Sequence, residues 1–130
     1  MLSTRRQLLA ATLSAALIIP ATAGAAKGYK DISAQEAHDR MTVDANVIVV
    51  DVRTPSEFAS GHIPGAINVE LSMIESGQLP AALANRNATY LLYCRSGRRS
   101  GIAARILSST GYTDVSNFGG ILNWPFEVVR

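Results

Sequence analysis

Residues 89–100 read TYLLYCRSGRRS, a short apolar run followed by a polar run rich in arginine. The five residues 89–93 are typical of a strand that is buried inside a sheet. Residues 100–110 carry apolar side chains on one face, which predicts an amphipathic helix that ends at Gly111. Cys94 to Arg99 therefore form a loop between a strand end and a helix start, where α/β sheets bind their ligands.

A second apolar run, residues 46–52, has the β-branched composition of a strand that is covered on both faces. Ser33 and Thr54 each stand three residues before a glutamate, which predicts two capped helix starts. The first of these helices is expected to run to about Met41. Alternating strands and helices predict one α/β domain, residues 27–130, with a mainly parallel central sheet flanked by helices. The remaining expected elements are short strands at 66–69 and 113–117, a turn at Gly119-Gly120 and a final helix over 121–129.

The composition limits the kind of protein that this chain forms. With 130 residues, 48% hydrophobic and 17% charged, it has room for one domain and no second core. One cysteine cannot form an internal disulfide or supply a structural zinc site, so neither a metal nor a cofactor is implied. The formal charge of +2 arises from Arg5 and Arg6, because the other basic residues balance the acidic ones. The charge therefore gives no indication of nucleic-acid binding.

The first 26 residues have the order of a cleavable export signal: two arginines, an apolar stretch over 8–19, and small residues up to Ala26. The apolar stretch falls short of the roughly 20 residues that span a bilayer, so no membrane span is expected in the mature protein. Cleavage is expected between Gly24 and Lys27, and the general secretory and twin-arginine routes both fit. In a bacterial host the mature domain is expected to be periplasmic.

The loop from Cys94 to Arg99 has the composition of an anion-binding site. Its small residues let successive backbone N–H groups curl around an anion, and the following helix N-terminus adds partial positive charge. Three arginines in the loop add full charges. A thiolate is itself an anion, so the pKa of Cys94 is predicted to be lowered and its thiol to be a reactive nucleophile.

Two other nucleophile chemistries fit this sequence less well. Cysteine phosphatases place an arginine six residues after the cysteine, and here that residue is Ser100. The loop is thus one residue too small for phosphate. A cysteine protease needs a histidine base, but no pattern places His38 or His62 beside Cys94. The nucleophile is therefore expected to depend on the electrostatic surroundings of its own loop.

Several separated motifs resemble the rhodanese family of sulfurtransferases. Residues 51–58, DVRTPSEF, and 61–68, GHIPGAIN, are similar to the first signature of that family. Residues 94–100, CRSGRRS, are similar to its active-site loop. The resemblance extends from Tyr29 to Trp124 and points to the small, single-domain periplasmic members. It also includes a closing segment with Gly111-Tyr112, Gly119-Gly120 and Trp124.

The resemblance implies a two-step transfer of sulfur through Cys94. Its thiolate would attack the outer sulfur of thiosulfate or a similar small donor, and sulfite would leave a Cys94 persulfide. Cyanide or a physiological thiol would then accept that sulfur. Arg95 and Arg98 are expected to grip the sulfonate, whereas Arg99 either joins them or holds the loop. The substrate-binding residues implied in this way are Arg95, Ser96, Gly97, Arg98, Arg99 and Ser100.

The resemblance also bears on the surroundings of the loop. Asp51 and Arg53 end a neighbouring strand and are expected to support the pocket, either by shaping it or, as we favour, as a structural ion pair. No second rhodanese domain is present to cover the site, so Cys94 is expected to be fairly exposed. The protein is expected to act as a monomer.

Three functional hypotheses follow from the loop. The first is an enzyme that moves sulfur between small molecules. The second is a sulfur carrier or binding module, which a transient protein donor would load at Cys94 and a protein acceptor would unload. The third is a cysteine phosphatase or arsenate reductase, against which the short loop argues.

Overall fold

The computed structural model describes residues 28–130, so the predicted export segment lies outside the described residues. A five-stranded sheet occupies the centre of the described chain. Among these residues no helix is long and apolar enough to cross a membrane. The strands are β1 (Lys30–Asp31), β2 (Ile48–Asp51), β3 (Ile67–Asn68), β4 (Thr89–Cys94) and β5 (Asp114–Gly120). The helices are α1 (Ala34–Val43), α2 (Pro55–Ser60), α3 (Leu71–Ser76) and α4 (Arg98–Ser109), with single 3-10 turns at Ala81–Leu83 and Ile121–Asn123.

The strand order is β1-β5-β4-β2-β3, and every neighbouring pair is parallel. The predicted parallel α/β sheet is therefore confirmed. Because β4 is the central strand, Cys94 at its carboxyl end lies in the middle of the row formed by the carboxyl ends of the parallel strands. The ends of β2 and β5 lie on either side of it, at Asp51 and Gly120.

Strand β4 is buried on both of its faces. Leu92 and Cys94 pack into one apolar cluster with Leu107 of α4, while Leu91 and Tyr93 pack into a second cluster with Ala37 of α1. A buried leucine contributes roughly 1.5–3 kcal/mol relative to an exposed one, so this strand anchors the sheet. Its continuous apolar sequence reflects this double coverage.

The predicted helix starts are both present, although they are capped to different extents. Thr54 and Glu57 form a complete capping box, in which the Thr54 hydroxyl accepts from the Glu57 N–H at 3.2 Å and the Thr54 N–H donates to the carboxylate at 3.1 Å. Ser33 caps α1 by accepting from the Glu36 N–H at 3.0 Å. Helix α4 ends next to Gly111, which has the predicted left-handed backbone with a φ of 99°.

The end of the chain differs from the sequence prediction. Gly119 and Gly120 belong to β5 and form no turn, and the helix expected over 121–129 is absent from the described residues. Trp124 has an extended backbone, with φ −86° and ψ 111°, as expected for a residue that precedes a proline. Beyond it, Val129 pairs antiparallel with His62 through two 2.8 Å hydrogen bonds. These pairings replace the helix that the local pattern favoured.

Three further elements were missed or misplaced. Strand β1 and helix α3 are only two and six residues long, and no side chain caps α3. Helix α4 begins at Arg98, two residues before the predicted start, because Gly97 serves as its N-cap with a left-handed φ of 105°. Ser100 consequently lies inside the first turn of the helix, beside the cysteine loop.

Candidate active site

Cys94 lies beneath the loop that follows β4. Its side chain is 1% exposed, so the expectation of a fairly exposed thiol is wrong. The left-handed backbone of Gly97 turns the chain back over the sulfur, and no second domain is needed to cover it. Cys94 Sγ accepts a hydrogen bond from the Gly97 N–H at 3.0 Å and one from the Ser100 hydroxyl at 3.4 Å.

This enclosure favours the thiolate form of Cys94. Burial by itself raises the pKa of the thiol, but hydrogen bonds from the Ser100 hydroxyl and from the N–H groups of Ser100, Gly97 and Ser96 outweigh it. The pKa of Cys94 therefore lies below its ordinary value, as the sequence predicted. The stabilising donors are a hydroxyl and backbone N–H groups, and of the three arginines Arg99 also interacts electrostatically with Cys94.

The end of β5 packs directly against the loop backbone. A Cβ atom on Gly120 would lie 2.0 Å from the carbonyl oxygen of Arg95, and one on Gly97 would lie 3.1 Å from the Cα of Gly119. Arg95 O also accepts a 3.2 Å hydrogen bond from the Leu122 N–H. Two glycines, Gly120 and Gly97, thus allow the two backbones to approach closely, and at Gly120 a side chain would clash with the loop.

The three arginines of the loop have different environments. Arg99 donates two hydrogen bonds to the Glu57 carboxylate, at 2.7 and 2.9 Å, and thereby ties the loop to α2. Arg95 and Arg98 are exposed, and neither guanidinium bonds or pairs with any residue from 28 to 130. The loop thus presents two uncommitted cations, while the third is held by the domain.

Asp51 and Arg53 form a buried ion pair at the end of β2. Their closest approach is 2.7 Å, and Asp51 Oδ1 also accepts from the Arg53 N–H at 2.9 Å. The Arg53 guanidinium donates a further 2.7 Å hydrogen bond to the carbonyl of Gly61. This pair connects β2 to the segment before β3.

The two histidines have partners of their own. The His62 ring stacks on Phe58 at a centroid distance of 3.7 Å, and its Nδ1 lies 2.9 Å from the Phe58 carbonyl oxygen. The His38 ring stacks on Phe126 at 3.8 Å. Neither ring is among the groups hydrogen-bonded to Cys94, so no imidazole base is positioned at the sulfur.

Comparison with known proteins agrees with this geometry. The sequence profile of the rhodanese-like domain matches residues 33–125. The chain belongs to the rhodanese family. This rhodanese is 42% identical over 81 residues to the thiosulfate sulfurtransferase PspE of Escherichia coli, an alignment that covers 62% of this chain and 77% of PspE. It is 34% identical over 97 residues to a sulfurtransferase of Allochromatium vinosum, covering 72% and 86% of the two chains.

Solved structures extend the same comparison to the fold. A rhodanese from E. coli, solved with anions, has 37% sequence identity and a TM-score of 0.59, and covers 65% of this chain and 98% of its own. A rhodanese-related protein from Thermoplasma volcanium has 30% identity and a TM-score of 0.66, with coverage of 78% and 98%. The rhodanese fold implied by the sequence motifs is therefore confirmed.

Two residues at the site of this rhodanese were missed in the sequence. Glu57 was interpreted only as part of a capping box, yet it also binds Arg99. Asn117 was interpreted only as the end of a strand, yet its side chain contacts the loop and the first turn of α4. The one available signal for Asn117 was its position at the carboxyl end of a predicted strand, the edge where parallel sheets place their sites.

The ion pair of Glu57 with Arg99 makes a testable contribution to the stability of this rhodanese. Hydrogen bonding by Arg99 lowers the pKa of Glu57 from 4.5 to about 2, against the opposing effect of burial. Because the folded pKa is depressed, this stabilisation is present above about pH 4.5 and is lost as the pH falls toward 2. Glu57→Gln is expected to lower the Tm at pH 7 by about 5 °C.

Thermal unfolding from pH 7 to pH 2 checks this expectation. The Tm difference between the wild type and Glu57→Gln should shrink as the pH falls below about 4.5. The exposed Glu75 of α3 provides a matched control, and Glu75→Gln should leave the Tm unchanged at pH 7. A Tm difference that stays constant across this pH range would contradict the assignment.

Proposed function

We propose that this rhodanese is a thiosulfate sulfurtransferase that carries sulfur on Cys94. The observation that carries the proposal is the enclosed Cys94 thiol, whose hydrogen bonds from Gly97 and Ser100 lower its pKa. A nucleophile without an adjacent base depends on its surroundings to favour the thiolate, and the hydrogen bonds in this loop act in that direction. The name of the related PspE, a thiosulfate sulfurtransferase, supports the choice of donor.

In the first step the Cys94 thiolate attacks the outer sulfur of thiosulfate. A bond forms between the two sulfur atoms, and the bond from the outer sulfur to the sulfonate sulfur breaks. Its electron pair leaves with sulfite, and the product is a Cys94 persulfide with one negative charge. The N–H groups of Ser96, Gly97 and Ser100, which stabilise the thiolate, also suit a persulfide anion in the same loop.

In the second step a thiophilic acceptor attacks the outer sulfur of the persulfide. A thiolate acceptor becomes a persulfide and cyanide becomes thiocyanate, and in both cases Cys94 leaves as the thiolate that began the cycle. No net oxidation or reduction of the protein occurs, so no further reactant is required.

The two uncommitted arginines are the proposed binding groups for the donor. Arg95 and Arg98 are exposed residues of the segment that follows Cys94, and their guanidinium groups suit the oxygens of a sulfonate. Arg99 already binds Glu57 and is assigned to holding the loop. All of the groups proposed to act belong to one chain, so the reaction requires no second copy.

The reaction is proposed to take place in the bacterial periplasm. Residues 1–26 have the basic, apolar and small-residue order of a cleavable export signal, which supports this location. A thiol acceptor there can be a small molecule or a cysteine of a transient protein partner.

The proposed function is tested by a turnover assay that compares the wild type with Arg98→Ala. Wild-type protein with thiosulfate and cyanide is expected to form thiocyanate over many turnovers. Arg98→Ala is expected to lower kcat/KM for thiosulfate about tenfold, the effect of losing one charge-assisted hydrogen bond at an open site. With an alkyl persulfide as donor, the same variant should lose less than about twofold, since that donor has no sulfonate oxygens to bind.

Arg105 provides the matched control, because it is an exposed arginine further along the same helix. Arg105→Ala should leave both donors unaffected. Equal losses on both donors in Arg98→Ala would contradict the anion-binding role. A persulfide that forms without turnover would favour the carrier, and hydrolysis of an aryl phosphate would favour the phosphatase.

A further inference from the structure

The side chain of Asn117 connects three parts of the site. Its Oδ1 accepts hydrogen bonds from the Ser100 hydroxyl at 2.8 Å and from the Gly119 N–H at 3.1 Å. Its Nδ2 donates to the carbonyl of Gly97 at 3.3 Å and to the Asp31 carboxylate at 3.5 Å. Two donors face the oxygen and two acceptors face the nitrogen, so the orientation of this amide is determined by its partners.

Ser100 has one proton and several acceptors for it. Its hydroxyl lies 2.8 Å from Asn117 Oδ1, 3.4 Å from Cys94 Sγ and 3.4 Å from the Gly119 carbonyl oxygen. A hydroxyl donates one hydrogen bond at full strength, so the amide oxygen and the sulfur compete for it. The shorter contact favours the amide while the sulfur is a neutral thiol, and a thiolate is the stronger acceptor.

Gly97 is held from both sides. Its N–H donates to Cys94 Sγ at 3.0 Å, and its carbonyl accepts from Asn117 Nδ2 at 3.3 Å. The left-handed φ of 105° directs this N–H toward the sulfur, and the bond to Asn117 fixes the residue that adopts it. Asn117 therefore contacts Gly97 and Ser100, the residues that donate the 3.0 and 3.4 Å hydrogen bonds to Cys94 Sγ, although it makes no hydrogen bond to the sulfur itself.

We propose that Asn117 is a positioning residue for sulfur transfer, whose amide holds Gly97 over Cys94 and keeps the Ser100 hydroxyl beside the sulfur as a donor that can switch. This inference goes beyond the proposed function and rests on it only in taking Cys94 as the nucleophile. It assigns to β5 a direct part in setting the ionisation of a cysteine on β4.

The proposal explains why an amide suits this position and a carboxylate does not. An aspartate would turn lone pairs toward the Gly97 carbonyl and the Asp31 carboxylate, both of which are acceptors. It would also bind the Ser100 proton more strongly than an amide does, and would add a negative charge near the thiolate. All three effects act against ionisation of Cys94, so Asn117→Asp is expected to raise the pKa of the thiol.

The other charged side chains around the loop are carboxylates and guanidinium groups. They comprise the arginines of the loop, the carboxylates of α2 and β1, and the ion pair at the end of β2. None of them is a thiol, so alkylation by a thiol reagent reports on Cys94, the one cysteine in the sequence. These groups are Arg95, Arg98, Arg99, Glu57, Asp31, Asp51 and Arg53.

The test is the pH dependence of alkylation of the free thiol by iodoacetamide. This reaction reports the thiolate and needs no sulfur donor, so its outcome is separate from that of the thiosulfate assays. Asn117→Asp is expected to move the midpoint to higher pH and to slow alkylation below the midpoint about tenfold. That change corresponds to about 1.4 kcal/mol of differential stabilisation of the thiolate.

Asn87→Asp is the matched control. Asn87 is exposed in the segment before β4, and the same chemical change there should leave the midpoint unaltered. An unaltered midpoint in a folded Asn117→Asp protein would overturn the proposal. A shift of equal size in both variants would also overturn it, because the effect would then be one of net charge alone.

A measurement on the wild type keeps the proposal testable if Asn117→Asp does not fold. The side-chain amide of Asn117 can be followed by NMR across the same pH range. Its 15N and 1H signals are expected to shift with the midpoint at which Cys94 ionises, because the Ser100 hydroxyl changes partner. Signals that stay constant through that midpoint would overturn the proposal.

Discussion

Cys94→Ser is expected to abolish persulfide formation and reduce sulfur transfer to the uncatalysed rate. The substitution exchanges one atom in a site that already suits its shape, so the fold should be retained. A serine hydroxyl is not ionised at neutral pH and is a weak nucleophile toward sulfur without a base, and neither histidine bonds to this position. Since Cys94 is the only cysteine in the chain, no other thiol can take its place.

Intact mass after incubation of the reduced protein with thiosulfate is the measurement. The wild type should gain about 32 mass units, one sulfur atom on the nucleophile, and lose them on addition of cyanide. Cys94→Ser should gain nothing, and its Tm should stay close to that of the wild type. A folded variant that still gains sulfur would contradict the mechanism. A wild-type protein with a free thiol and no gain would contradict thiosulfate as the donor and favour loading by a protein partner.

Asp51→Ala is expected to lower the free energy of unfolding by about 3–5 kcal/mol, the usual cost of removing one partner of a buried ion pair. Arg53 is 5% exposed and would keep its charge, with the Gly61 carbonyl and the ring of Tyr93 as its remaining partners. Small domains have total stabilities of about 5–15 kcal/mol, so this loss removes a large part of the total. Urea unfolding followed by circular dichroism gives the quantity directly.

Removing both charges separates the ion pair from the packing around it. The double variant Asp51→Ala/Arg53→Leu leaves no buried charge behind, so it should be more stable than Asp51→Ala. Asp39→Ala, at an exposed position on α1, should change the free energy of unfolding by less than about 0.5 kcal/mol. A loss below about 1 kcal/mol in Asp51→Ala would contradict the structural role of the pair.

The parts of the fold that the sequence predicted are those with a local physical cause. Strands β2 and β4 are continuous apolar runs because both of their faces are covered, and α2 begins with a capping box and a proline within four residues. The cysteine loop was identified by residue types that suit an anion and by its similarity to a family motif. The helix predicted over 121–129 does not form, because Pro125 interrupts it and Val129 pairs with His62 instead.

The parts that were missed depend on residues distant in the chain. Asn117 meets Ser100 across 17 positions and Arg99 meets Glu57 across 42, and only the strand order brings these residues together. The burial of Cys94 depends on the backbone angle of Gly97, which composition does not fix. Partners of this kind follow from the register of β4 against β5 and not from any short segment.

The contact between β5 and the cysteine loop also limits how this site could change. A Cβ atom on Gly120 would lie 2.0 Å from the carbonyl oxygen of Arg95, so a residue inserted on the side of the loop that faces β5 would have no room there. An inserted residue would therefore need a compensating shift of a whole strand. On the side that faces β5, the loop therefore cannot lengthen unless the strand also moves.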